Sequence, residues 1–173
     1  MILSSSRWSA GKNTIDPSCL FIPVDFEFKI VINRPVEDVY NFLWTLDERD
    51  FSNNKLVPVY ENITEGPRKI GSVMREVIKT RYFTIEVLSE ITEYVPNRSL
   101  GYGFQGAGIA GTLRYILEPM EDGTKLNQLV NISFRGLRKI LNPLLTLTYA
   151  RKAEWRLREI KGILEADSPT QVK

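Results

Sequence analysis

The feature that most constrains this chain is a series of short strand-like segments, from residue 56 to residue 134, that leads into a strong helix start. Turn signals divide the series at Glu65-Gly66-Pro67, at Pro96-Asn97, along a glycine run over 101–111, and at Glu121-Asp122-Gly123. We predict six strands, near residues 57–63, 71–80, 83–94, 99–105, 112–118 and 124–134. Connections this short join antiparallel neighbours, so the pattern predicts one antiparallel sheet.

A further strand and a short helix are predicted before this series. Phe26, Phe28 and Ile30 alternate with other residues at the period of a half-buried strand, which begins at residue 25. Pro35 ends the strand and is favoured at the first turn of a helix. Apolar residues then recur at helical spacing from 36 to 46, which predicts an amphipathic helix, and the polar stretch after it leaves a second short helix open.

A long helix is predicted after the series. Asn142 is a good helix cap and Pro143 suits the first turn, so the helix begins there and runs to about Ala166, a length of about 36 Å. The element order predicts an α+β fold: a curved seven-stranded antiparallel sheet around the C-terminal helix, with one or two short helices after the first strand. Where the curled sheet and the helix enclose more volume than their side chains fill, a cavity remains.

The chain of 173 residues suits one domain. We predict an irregular leader over 1–24, rich in Ser, Gly and Pro, a folded domain over 25–166 and a disordered tail over 167–173. Histidine is absent, which excludes His-based zinc sites, His-based triads and imidazole bases. Cys19 is the single cysteine, so an internal disulfide is excluded.

Charge and hydropathy limit the kinds of partner that this chain is expected to bind. The net charge is +2 and the basic residues are scattered, so we expect no nucleic acid partner. No apolar run approaches the roughly 20 residues that cross a bilayer, and no signal peptide is visible, so a cytoplasmic location is expected. Asp47, Glu48 and Asp50 form an acidic turn without a calcium-loop pattern, so we predict no metal site there.

Four stretches together resemble the START-like or Bet v 1-like (SRPBCC) superfamily, and within it the polyketide cyclase/dehydrase branch. They are IVINRPVEDVYNFLWTLD, KIGSVMREV, SEITEYVPNRSLGY, and the segment from YILEPMEDGTKL through Phe134-Arg135-Gly136 to NPLL and REIKGILEA. The resemblance spans about residues 25–166. It implies a helix-grip fold with an elongated apolar pocket between sheet and C-terminal helix, in which members bind lipids, quinones, polyketides or steroid-like molecules. It carries over no catalytic residue, because the superfamily has no universal catalytic motif.

The resemblance assigns the pocket wall to this chain by position: the inward residues of the sheet and the inner face of the C-terminal helix. The predicted ligand-binding residues are Arg75, Tyr102, Phe104, Tyr115, Leu117, Gln128, Val130, Ile132, Leu145, Tyr149 and Leu157. A tyrosine hydroxyl in an apolar pocket is a common way to orient a ligand, although an aromatic wall residue is more often plain core. Gln128 shares strand phase with apolar residues, so it either meets a ligand, water or a neighbouring strand, or is turned outward by a bulge.

The strand near 71–80 has two alternative phases. Either Arg75 and Lys79 face inward or Glu76 does. A charged side chain that faces inward from this strand would be the residue of this chain that most strongly suggests a function. The sequence does not decide between them, and a solvated edge-strand charge is the simpler interpretation. The glycine run matches G-x-G-x-x-G twice, but a strand follows instead of a helix, so we predict a flexible hairpin loop rather than a dinucleotide site.

The predicted function is binding or carriage of a hydrophobic small molecule without a cofactor. Two alternatives remain open: a cyclase or dehydratase that uses Tyr, Arg or Glu as acid and base, or a protein-interaction module without a small ligand. The predicted protein is a monomer or homodimer. Leu144 and Trp155 fall on the outer face of the C-terminal helix, where the leader, a second copy or a transient membrane contact would cover them.

Overall fold

A computed structural model of the chain describes residues 24–45, 59–79, 84–106, 108–134 and 142–166. Strand β1 is followed by helix α1, six further strands and the long helix α2. The elements are β1 (Val24–Ile32), α1 (Val36–Trp44), β2 (Val59–Asn62), β3 (Val73–Lys79), β4 (Thr84–Val95), β5 (Ser99–Gly106), β6 (Ile109–Met120), β7 (Gly123–Phe134) and α2 (Asn142–Ala166).

The strands form one seven-stranded sheet in the order β1-β7-β6-β5-β4-β3-β2, with every neighbouring pair antiparallel. The predicted α+β architecture is confirmed: an antiparallel sheet, a short helix after the first strand and a long C-terminal helix. β1 starts one residue earlier than predicted, at Val24. The leader up to residue 23, the stretch of the second short helix and the tail lie outside the described residues.

The hairpin within the glycine run is shorter than the predicted flexible loop, because most of the run belongs to strands. β5 continues to Gly106 and β6 begins at Ile109, three residues before the predicted start, and these two residues still pair in the ladder. Glycine weakens a strand locally, but here the glycines lie between two pairing partners, β4 and β6, whose backbone hydrogen bonds hold them extended. Gly108, between the two strands, is a turn residue.

The main core lies at the end of the sheet where α2 finishes. Leu157, Ile160 and Leu164 form a buried stripe on α2, because residues three and four apart share a helix face. They belong to one buried cluster with side chains of α1 and of the central strands. The strand and α1 members of that cluster are Ile32, Val39, Tyr40, Phe42, Leu43, Leu100, Tyr115, Leu117 and Leu126.

Polar contacts fix the end of α2 to the end of β1. Arg34 Nε donates to the carbonyl oxygen of Leu164 at 2.7 Å, which satisfies one of the free carbonyls of the last helical turn. Lys161 Nζ donates to the carbonyl oxygen of Val31 at 2.7 Å, and the backbone N–H of Asn33 donates to Glu165 Oε1 at 2.9 Å. We call this the anchored end of the molecule.

A second, smaller cluster lies towards the opposite end. It contains Val87, Ile109, Ile132 and Phe134, with Phe104 packed against it. Because the strands alternate in direction, β3, β5 and β7 finish at this opposite end. The two clusters divide the inner side of the sheet into an anchored half and an opposite half.

Gly106, the last residue of β5, gives a test of this ladder. Its φ is +148°, and an added Cβ would overlap the carbonyl oxygen of Glu86 and lie 2.8 Å from Val87 Cα. We expect Gly106→Ala to lower the free energy of unfolding by about 1–3 kcal/mol, because alanine disfavours this backbone region and the neighbouring strand is in the way. Urea unfolding monitored by circular dichroism measures the change.

Gly162 in α2 is the matched control. A Cβ there meets nothing within 4 Å, and the residue is exposed on a helix. We expect Gly162→Ala to raise the free energy of unfolding by about 0.5–1 kcal/mol, since alanine is the better helix former. Equal effects of the two substitutions would contradict the described path of β5.

Candidate functional site

The strand register defines which side chains face α2, and we call this set the inner face. In β7 the even-numbered residues from Thr124 to Phe134 are the more buried, and residues directly opposite in neighbouring strands share a face. Following the pairs across the sheet gives the inner-face members around and between the two clusters. They are Phe26 and Phe28 of β1, Gln128, Val130 and Ile132 of β7, Leu113 and Tyr115 of β6, Leu100, Tyr102 and Phe104 of β5, Ser89 and Ile91 of β4, and Met74 and Glu76 of β3.

Gln128 is the polar residue at the centre of this face. It is 3 % exposed and lies directly opposite Phe28 on one side and Tyr115 on the other. No bulge interrupts the register there, so the outward alternative from the sequence does not apply. Its Oε1 is buried and has no hydrogen-bond partner within the described part of the chain. A buried acceptor without a donor costs about 1–3 kcal/mol, so the fold holds this oxygen in an unfavourable position.

Several predicted wall residues lie next to Gln128. Tyr115 is 3 % exposed and Leu117 is also buried, and both belong to the main core. Tyr102 is half-buried, opposite Leu113 on one side and Ile91 on the other, and it packs against the main core. The structure therefore brings these tyrosines to the inner face, as the sequence predicted by strand phase.

Towards the opposite end the wall continues with apolar side chains. Ile132 is buried and Phe104 packs against the same smaller cluster. Val130 is half-buried and pairs with Leu113 and Phe26, so it lies between the two clusters. These residues line a strip of inner face that is apolar on both sides of Gln128.

Arg75 does not belong to this face. Its guanidinium ion-pairs with Glu86 Oε2 at 2.9 Å and with Glu61 Oε2 at 3.3 Å, and its side chain is 40 % exposed. Hydrogen bonds to the two carboxylates raise the pKa of Arg75 further above its ordinary value. The structure thus puts this predicted ligand-binding residue on the outer face, where three charges of alternating sign stabilise one another across neighbouring strands.

Glu76 takes the inner position in β3. It pairs with Val87, which is 6 % exposed and lies in the smaller cluster, and its strand neighbour Met74 is also buried. Glu76 is half-buried. Among the described strand residues it is the single charged side chain on the inner face. The sequence left this choice open because both phases of the strand contain a charge.

The helix contributes Leu157, which is buried in the main core. The side chains of Leu145 and Tyr149, in the first half of α2, lie outside the described residues, so their assignment to the wall stays a prediction. Trp155 is 48 % exposed on the same helix. This agrees with its predicted place on the outer face.

Tyr40 of α1 is a further buried polar side chain, in the main core. It is 3 % exposed, and its hydroxyl has no partner in good hydrogen-bond geometry within the described part of the chain. Burial raises the pKa of the phenol well above its ordinary value, and the nearby Tyr94 ring, 5.9 Å away, adds to the rise. The phenol is therefore neutral and able to donate. Its helical spacing with Val39 and Leu43 was a signal for burial but not for an unpaired hydroxyl.

Charge is kept to the outer face elsewhere too. Arg114 Nε lies 2.6 Å from Glu93 Oε2, and Ser99 Oγ donates to Glu93 Oε1 at 2.5 Å. These contacts hold the pKa of Glu93 below its ordinary value, and the hydrogen bond from Arg114 has the larger effect. With charges paired outside and an acceptor unpaired inside, the inner face can hold a mostly apolar molecule and orient it through one polar contact.

Among the described residues, no group of three or more His, Cys, Asp or Glu side chains is arranged to hold a metal ion. No helix in the described ranges is both long enough and apolar enough to span a bilayer. No protein-family model matches the chain, and no curated protein matches it.

Solved structures do match this fold. The Zhui aromatase/cyclase from Streptomyces sp. R1128 is 13 % identical with a TM-score of 0.70, over 86 % of this chain and 98 % of that chain. Ara h 8.0201 is 16 % identical with a TM-score of 0.66, over 84 % of this chain and 99 % of that chain.

A third similar structure is a point mutant of norcoclaurine synthase from Thalictrum flavum in complex with a transition-state analogue. It is 12 % identical with a TM-score of 0.61, over 86 % of this chain and 98 % of that chain. At these identities the likeness concerns the fold, and all three structures share one fold. This chain therefore has the Bet v 1-like, or START-like, helix-grip fold that its sequence motifs predicted.

Proposed function

We propose that this protein binds an apolar small molecule between the inner face of its sheet and α2. The observation that carries the proposal is Gln128, whose Oε1 is buried without a donor in a wall of aromatic and aliphatic side chains. A site of this kind, apolar with few polar groups, is typical of small-molecule pockets. The fold supports the same function, since similar structures include a cyclase and a synthase bound to an analogue.

The division of the core supports the proposal further. The main core fixes the second half of α2 at the anchored end, while the smaller cluster lies near the opposite end. Val130, Leu113 and Tyr102 lie between them and are only half-buried, although they are on the inner face. A ligand in this position would cover apolar surface that the chain itself leaves partly open, and each buried Å² contributes about 25 cal/mol.

A second candidate, catalysis of a cyclase or dehydratase type, is favoured by one observation. Glu76 places a carboxylate on the inner face, where Tyr102 and Tyr115 also lie. A carboxylate and a phenol are able to act as acid and base without histidine. The binding function remains the conclusion, because the unpaired Gln128 acceptor needs only an occupant and no reaction.

The first experiment is native mass spectrometry of the protein purified from cells. We expect a mass above that of the chain, removed by extraction with organic solvent and restored by adding the extract. Recovery of an empty chain that also fails to bind the apolar probe anilinonaphthalene sulfonate would contradict the binding proposal.

The same extraction separates the two candidates when it is repeated with Glu76→Gln. For a binding protein, we expect the extract of the variant to contain the molecule found with the wild type. For an enzyme, the variant would retain a different molecule, the unreacted substrate, because its acid-base group is gone.

Gln128→Leu distinguishes a ligand contact from a structural one. We expect it to weaken binding of the extracted molecule by about tenfold, since a buried hydrogen bond is worth roughly 1–1.5 kcal/mol. We also expect the free energy of unfolding of the ligand-free protein to rise by about 1 kcal/mol, because an unpaired buried acceptor is removed. Calorimetric titration and urea unfolding measure the two effects.

Asn131→Leu is the matched control on the same strand. Asn131 Nδ2 donates to Asp25 Oδ1 at 2.7 Å on the outer face, away from the proposed ligand. We expect unchanged ligand binding and a loss of about 1 kcal/mol or less of stability. A large stability loss in Gln128→Leu with unchanged binding would show that the glutamine serves the fold alone.

A further inference from the structure

We propose that the outer face of α2 is an interface between two copies of this chain, in which the two helices pack antiparallel about a two-fold axis between Arg158 and Glu159. This interface does not depend on a bound ligand, because it uses the face of α2 that turns away from the sheet and from the buried Leu157. A second copy fits this face both in the size and in the charge of its side chains.

A single stripe of side chains runs along α2 on the side opposite Leu157. At about 100° per residue, six described residues between 151 and 166 fall within an arc of about 100°. Five of them are exposed and Glu159 is half-buried. We call this set the outer stripe, and its members are Arg151, Trp155, Arg158, Glu159, Gly162 and Ala166.

The outer stripe is self-complementary in size. When two copies of α2 pack antiparallel about its centre, Trp155 of one copy lies opposite Gly162 of the other. In the same way Arg151 lies opposite Ala166. Trp155 is 48 % exposed, and a Cβ added at Gly162 meets no atom within 4 Å, so the tryptophan has open space over the glycine. Because a two-fold interface is reciprocal, each large residue packs on a small one twice.

The centre of the outer stripe is complementary in charge. Arg158 of each copy lies opposite Glu159 of the other, which brings together two pairs of opposite charge. Within the described part of the chain, the carboxylate of Glu159 makes no hydrogen bond or close ion pair, although it is half-buried. Burial raises the pKa of this carboxyl, against a smaller lowering by Arg156. A guanidinium from a second copy therefore supplies the charge that Glu159 lacks.

Arg158 is able to make this second contact. It pairs with Glu154 at 2.7 Å on the same helix, and both side chains are largely exposed. An exposed pair of this kind is weak, and a guanidinium has donors for two carboxylates. A lipid surface fits the outer stripe less well, because it brings no cation to Glu159.

The extent of the contact predicts a weak dimer. The outer stripe runs from Arg151 to Ala166, which is about 23 Å of helix, and a helix with its side chains is about 10 Å across. Two helices in contact over this length bury less than the roughly 1,000 Å² that a stable interface requires. We therefore expect a dimer that forms only at micromolar concentration or above, with Trp155 as its main contact.

Sedimentation velocity of the full chain, from low to high micromolar concentration, tests the interface. We expect a monomer at low concentration and a dimer at high concentration. Trp155→Ala is expected to weaken the dimer at least about tenfold, since the lost side chain acts twice in a two-fold interface. Leu129→Ala is the matched control, because it removes a half-buried apolar side chain from the outer face of the sheet, away from α2. We expect it to leave the dimer unchanged.

Reversal of the central charges locates the contact. Arg158→Glu places carboxylates opposite one another and Glu159→Arg places guanidinium groups opposite one another, so we expect each change alone to weaken the dimer about tenfold. The double variant with both changes restores opposite charges across the axis, and we expect it to dimerise within about threefold of the wild type. Gly162→Leu fills the space that receives Trp155, so we expect it to weaken the dimer while the monomer stays folded.

Each outcome supports or overturns the interface. A wild type that stays monomeric throughout, or a double variant that does not recover when both single variants fail, overturns it. A dimer that persists in Trp155→Ala and in Gly162→Leu uses another face and also overturns it. Binding of the monomer through Trp155 to vesicles of phosphatidylcholine and phosphatidylserine makes a membrane the occupant instead. A benzophenone side chain at position 155 that crosslinks to residues 1–23 of its own chain makes the leader the occupant instead.

Discussion

The packing of the second half of α2 against the end of β1 is the interaction on which the rest of the structure depends. Ile160 is fully buried beside Ile32 and Leu126, and Arg34 bonds to the last turn of the helix. Because these contacts are concentrated at one end, the helix is fixed there and crosses the sheet from a defined point. Apolar burial supplies the free energy, while the directional hydrogen bonds of Arg34 and Lys161 set where the helix ends.

The hydrogen-bonded ladder between β1, β7 and β6 fixes the positions of the side chains in the candidate site relative to this packed end. Ile32 pairs with Thr124, and the same register carries on to Phe28 opposite Gln128. A slip by one residue would turn Gln128 to solvent and bring Asn127 inside, together with every other side chain of the strand. Such a slip is prevented because it would also expose Leu126 and Ile132, which are almost completely buried. The core therefore holds a polar group in a position that is unfavourable for that group alone.

The separation of charge between the two faces follows from the same geometry. Arg75, Glu86 and Glu61 neutralise one another on the outer face, and Arg114 does the same with Glu93. Each pair lies across neighbouring strands, where side chains on one face are close enough to interact. Exposed pairs of this kind contribute little stability, but they occupy the cations of the central strands on the side away from α2. Among the described strand residues, the inner face carries Glu76 and uncharged polar groups.

Local pattern was sufficient for much of the fold. The alternation from Phe26 to Ile30 and the Asn142-Pro143 helix start specified β1 and α2 to within a residue or two, because strand period and helix capping are properties of a few neighbouring residues. The same pattern placed Tyr115, Leu117, Val130 and Ile132 on one face of their strands. It overestimated the length of the hairpin loop in the glycine run, since glycine has no side-chain period and pairing with β4 and β6 keeps β5 extended.

What the sequence by itself determined is the order of the elements, the antiparallel connection of the strands and the inward phase of β6 and β7. Tertiary structure alone decided between Arg75 and Glu76, because both phases of β3 carry a charge and the pairing of Glu76 with Val87 settles which one turns inward. It alone showed that, within the described residues, the amide oxygen of Gln128 is buried without a partner and the hydroxyl of Tyr40 is buried beside Tyr94 without a well-formed hydrogen bond. The physical reason is that a side chain's hydrogen-bond partners come from strands and helices distant in the chain, so their absence becomes visible only once those elements are packed together.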